Sequence, residues 1–75
     1  MLQEEAFDPD TAAMLQQLYD IVCGQFVSIA PDEPRMREVI ATAIIGIATN
    51  GQRNPERILR YARFKAAELM STPLL

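Results

Sequence analysis

The segment Met36-Arg-Glu-Val-Ile-Ala-Thr-Ala-Ile-Ile-Gly-Ile-Ala-Thr-Asn-Gly-Gln-Arg-Asn-Pro-Glu56 decides the fold. Met36, Val39, Ile40, Ala43, Ile44, Ile47 and Ala48 recur at i, i+3, i+4, i+7 and i+8, the period of one helical face. Asn50-Gly51 ends that face, because Gly is the residue that most readily takes the left-handed conformation closing a helix. Asn54-Pro55-Glu56 opens the next helix with a capping side chain, a Pro at the first helical position and a carboxylate near the positive end of the dipole. A helix, a stop and a new start thus lie within one short stretch.

Upstream, Ala30-Pro-Asp-Glu-Pro34 holds two prolines that no helix can run through, and Glu33, placed before Pro34, is pushed toward an extended conformation. The central helix is therefore expected over about 34–50. Before the linker, Asp8-Pro9 reads as a cap and first position, and Leu15, Leu18, Tyr19, Val22, Phe26 and Ile29 fall in one stripe. Gly24 interrupts the run at a cost of about 1 kcal/mol relative to Ala. Because Phe26 and Ile29 stay in phase across it, one helix is expected over about 9–29, after a flexible tail 1–8. Downstream, Ile58, Leu59, Ala62, Ala66, Leu69 and Met70 share an arc of a third helix over about 55–70, and Pro73 leaves a frayed end, 71–75. No stretch alternates like a strand and no segment repeats, so the fold class is all-α: a small three-helix bundle or an orthogonal three-helix domain.

Seventy-five residues leave room for one small core, and such a core buries a modest share of its chain's surface. Cys23 is the only cysteine, so no disulfide within the chain can reinforce the core, and no oxidising compartment is implied. Association is the remaining route to extra stability, and a homodimer is one form it can take. The run Val39 to Ala48 is ten residues, about half of what a membrane-spanning helix needs, and the first seven residues do not read as a signal peptide. No membrane partner is expected, and cytoplasmic residence is the default.

Enzyme chemistry finds no foothold. The chain has no His, which removes the usual proton shuttle and the commonest transition-metal ligand. Cys23 falls at the edge of an apolar stripe with no base beside it, and Asp8 and Asp10 read as helix-start residues. No phosphate-binding, calcium-binding or zinc-binding motif occurs, so no catalytic residue, cofactor or metal site is expected.

Charge is unevenly spread: residues 1–34 carry seven acids and no base, a charge of −7, while residues 35–75 carry seven bases against three acids, a charge of +4. Arg57, Arg60 and Arg63 advance by three along the third helix, and helix-turn-helix order makes it a candidate nucleic-acid surface. Three features weaken that reading. Glu33 can pair with Arg37, Glu56 with Arg60 and Lys65 with Glu68; the linker Gly51-Gln-Arg-Asn54 is no tight corner; and a sequence pI of about 4.7 is low for a dedicated nucleic-acid binder. Several apolar side chains also miss their stripes. Ile45 lies about 140° from Ile40, and Phe64 about 120° from Ile58 on the side away from Leu59. Met14 and Ile21 form a second ridge on the first helix, and Thr42 and Gly46 leave a groove where another helix can come close.

The stretch Asn50-Gly-Gln-Arg-Asn-Pro-Glu-Arg57 resembles the loop and helix start of short uncharacterised bacterial helical proteins. Across those eight residues the resemblance implies a bacterial, cytosolic, helical protein with no assigned activity. Taken with the residues themselves, the expectation is a non-enzymatic helical module that binds a protein partner or itself, through Ile45, Tyr61 and Phe64 for apolar contact and Arg57, Arg60 and Arg63 for charge. The alternative is a nucleic-acid-binding regulator using the basic third helix.

Overall fold

A computed structural model describes residues 7–71, and the sequence-based readings for 1–6 and 72–75 lie outside the described residues. Among the described residues three helices form an all-α bundle: α1 (Pro9–Phe26), α2 (Glu33–Thr49) and α3 (Pro55–Ser71). A single 3₁₀ turn, Val27–Ile29, follows α1.

Each start is set by a side chain that satisfies orphan amides. Asp8 accepts from the Thr11 backbone amide at 3.3 Å and from its hydroxyl at 2.6 Å. The hydroxyl bond is the largest of the influences that hold the Asp8 carboxyl below its ordinary pKa of 3.8, followed by the bond from the Thr11 amide. Because that value is lowered by folding, the cap's contribution is present above the ordinary carboxylate range and is lost as pH falls through the lowered value. Asn54 accepts from the amides of Glu56 at 2.9 Å and Arg57 at 3.3 Å, as its place before Pro55 requires.

At the middle helix the sequence-based start is corrected. α2 begins at Glu33, and Asp32 is its cap, accepting from the Arg35 amide at 3.1 Å. Pro34 is therefore the second helical residue, where a missing N–H is still one of the orphans. The end of the first helix is corrected too. α1 passes through Gly24 without a break, but its α-helical pitch stops at Phe26. The cause lies downstream: Pro31 forces Ala30 into an extended conformation (φ −80°, ψ 137°), and the chain tightens into a 3₁₀ turn to reach it. Tightening changes the phase, so Ile29 leaves the apolar stripe and stands 61% exposed. Phe7, assigned by sequence to the tail, packs against the core, and Ser71 remains helical.

The end of α2 is a Schellman motif. The Gln52 amide donates to the Ile47 carbonyl at 3.2 Å and the Gly51 amide to Ala48 at 3.0 Å, with Gly51 at φ 103°. A Cβ at Gly51 meets no atom within 4 Å, so a substitution there acts through conformation alone. Gly51→Ala should lower stability by about 1–2 kcal/mol, the cost of a left-handed L-residue, and Gly51→Asn by less. Thermal melts followed by circular dichroism check both.

The core is built from one row per helix. Leu15, Leu18, Val22 and Cys23 come from α1, Met36, Ile40, Ile44 and Ala48 from α2, and Ile58, Ala62 and Ala66 from α3. On α2 and α3 those rows step by four residues, the ridge that packs into the groove of a neighbouring helix. Alanines at two of three positions let α3 approach closely. α2 packs against each of the other helices more extensively than they pack against each other.

Candidate functional site

With Ile58, Ala62 and Ala66 turned inward, the helical period leaves Arg57, Arg60, Tyr61 and Phe64 on the opposite face of α3, at i, i+3, i+4 and i+7. Phe64 is 60% exposed and Tyr61 38%. Together with Gln52 these four residues line one shallow depression. Among the described residues the Arg57 and Arg60 guanidinium groups make no hydrogen bond or ion pair, so the Glu56 to Arg60 pairing expected from spacing is not formed. The other two expected pairs are formed: Arg37 to Glu33 at 3.1 Å, and Lys65 to Glu68 at 3.0 Å. Glu68 raises the Lys65 pKa above its ordinary value, chiefly by that hydrogen bond.

Of the residues singled out from sequence, Tyr61, Phe64, Arg57 and Arg60 share one face. Arg63 is turned aside: its Nε donates to the Gln25 amide oxygen at 2.9 Å, tying α3 to α1. Ile45 is apart from the others. At 48% exposure it borders a groove between α1 and α2, with Ala12, Gln16 and Tyr19, and that groove shares no residue with the α3 depression.

Arg53, one of the seven bases of the 35–75 segment, is a structural residue. Its Nη1 donates to the Ala48 carbonyl at the C-terminus of α2 and to the Gln52 carbonyl, while its guanidinium carbon stands 5.2 Å from the centre of the Phe7 ring. It joins the entry to α1 to the α2–α3 turn through a helix-end hydrogen bond and a cation–π contact. A basic residue two positions after a closing Gly was the available local signal for the first contact. Nothing local signals the second.

The exposed face of α3 therefore offers two aromatic side chains and two guanidinium groups that have no partner among the described residues. Such a face can bind, through apolar contact and charge-assisted hydrogen bonds to carboxylates. Among the described residues no three His, Cys, Asp or Glu side chains converge as a metal site would require, and no helix is long and apolar enough to cross a membrane. No protein-family model, curated protein or solved structure matches the chain.

Proposed function

We propose that the protein is a non-enzymatic helical interaction module that docks a protein partner on the outer face of α3. One observation carries the reading: Phe64, 60% exposed, stands on the side of α3 away from the core, where it contributes nothing to the buried cluster. Exposing an aromatic ring to water forgoes a large share of the hydrophobic gain open to it, and aromatic residues are enriched where partners bind.

Of the five bases from Arg53 to Lys65, three are engaged inside the chain: Arg53 with Ala48, Arg63 with Gln25 and Lys65 with Glu68. Two remain for phosphate. That supports a protein partner over nucleic acid, since Arg57 and Arg60 alone allow a salt slope of only about two.

The test compares the tagged protein with its Phe64→Asp variant in capture from nuclease-treated lysate of cells that make it. The variant should keep its helical circular dichroism and lose the protein that the wild type retains. Loss of helical signal, or capture that disappears with nuclease in the wild type, overturns the reading.

A further inference from the structure

Tyr61 belongs to two depressions at once. It lines the α3 depression with Arg57, Arg60 and Phe64, and it also lines an open groove of about 660 Å³ that follows α2 from Arg35 to Asn50. The two are one continuous surface. Resting on the reading of α3 as a docking face, we propose that this surface holds an acidic amphipathic helix of a partner protein.

Shape supplies the first argument. Arg35 to Asn50 spans four turns of α2, about 22 Å at the helical rise, and a cleft running beside a helix for that length fits a helix of about 15 residues. Val39, Ala43 and Ile47 give the groove an apolar floor, and Thr42 and Gly46 keep its wall low. Tyr61 and Phe64 rise beside it as anchors for the apolar stripe of the incoming helix.

Charge supplies the second. Arg35 at one end of the groove and Arg57 and Arg60 in the adjoining depression make no ion pair among the described residues. Glu38 is the one acid among the residues lining the two depressions, and Lys65, which also lines the groove, is paired with Glu68. Three unpaired bases thus stand against one acid, and the surface is net cationic although the whole chain carries −3. Carboxylates flanking an apolar stripe complement it.

The same charges disfavour the other occupants. A second copy docking in two-fold fashion would meet this patch with the same patch, bringing both pairs of unpaired guanidinium groups into one interface. Nor can the acidic α1 of a second copy serve as the incoming helix, because its apolar stripe, Leu15, Leu18 and Val22, is already buried in its own core.

The probe is a capped synthetic peptide of about 16 residues with Leu at helical spacing and Glu on both flanks, alongside a control in which every Glu is Lys. Binding is read by fluorescence anisotropy and by amide shifts of the full chain. The acidic peptide should bind, weaken as salt rises and shift amides along Arg35 to Asn50 and Arg57 to Phe64; the Lys peptide should not bind. Arg57→Glu with Arg60→Glu should weaken binding by at least about tenfold. Gly46→Leu should do the same by filling the groove, and it should fold, since a Cβ at Gly46 meets no atom within 4 Å and Leu favours a helix more than Gly does.

Equal binding of the two peptides, binding of neither, or indifference to Gly46→Leu overturns the proposal. Concentration-dependent dimerisation abolished by the same variants assigns the surface to a second copy, and retention of duplex DNA by Arg57 and Arg60 assigns it to nucleic acid; both overturn it as well. Failure of the peptide arm while Phe64→Asp still loses its captured protein removes only the acidic helix. Failure of both removes the α3 docking face.

Discussion

Replacing Ile40 by Ala should lower the unfolding free energy by about 2–5 kcal/mol, the cost of removing buried methylenes and leaving a cavity. Ile40 is 0% exposed at the middle of the most central helix, within a cluster to which all three helices contribute. For a chain of 75 residues the total stability is on the order of 4–11 kcal/mol, so one truncation removes a large fraction of it. At about 4–8 °C per kcal/mol, the fall in Tm should be at least about 8 °C. The same truncation at Ile45, half exposed and outside the core cluster, should cost no more than about 1 kcal/mol. Urea unfolding of both variants measures the contrast. Equal losses would mean that Ile45 is covered in solution, by association or by a different packing of α1 on α2.

That contrast bears on why some of this molecule could be read from its residues and some could not. Ile40 and Ile45 differ by helical phase, which the spacing of Met36, Ile40, Ile44 and Ala48 makes plain. The Asp8 and Asn54 caps and the Gly51 stop are likewise local, each satisfied by atoms within a few residues. Phase fails where pitch changes. Ile29 is in register with Phe26 only if the α-helix continues, and Pro31 prevents that by way of Ala30. The Asp32 cap is masked in the sequence because Glu33 stands before a proline, whose preference for an extended predecessor yields here to the helix that follows.

The candidate surface divides along the same line. That Phe64 and Arg57 face away from Ala62 follows from the helical period, and the structure places them so. Which cations are free does not follow. Arg63 meets Gln25 across 38 positions of sequence, and Arg53 meets Phe7 from the far side of two helices. Contacts of that range depend on how the helices are assembled, and nothing in the residues next to either arginine signals them. Among the described residues the acidic and basic halves of the chain are joined by the Arg37 to Glu33 pair and by these two arginines, both of which act on neutral partners.

Ala62→Leu should destabilise the bundle by about 1–3 kcal/mol, and by more if α3 cannot shift. Ala62 and Ala66 are both 0% exposed, and they occupy the row of α3 that faces the core. Their small size sets the distance of α3 from the rest of the bundle. A Leu there has no free volume to enter, so it must either adopt a strained rotamer or move the helix outward. The second outcome has a functional consequence, because Tyr61 and Lys65 on α3 form one wall of the groove whose other wall is α2. Moving α3 outward widens that groove and carries Tyr61 and Phe64 away from Val39 and Ala43. Ala62→Leu should therefore weaken any ligand of the groove beyond what its unfolded fraction explains, whereas Ala67→Leu, on the exposed side of the same helix, should change stability by no more than about 0.5 kcal/mol. Melting temperatures of the two variants, with peptide titration at a temperature where both are folded, separate the two effects. A stable Ala62→Leu variant would mean that the bundle holds unfilled space beside α3, and that the position of α3 depends on its turn and the Arg63 to Gln25 bond rather than on its alanines.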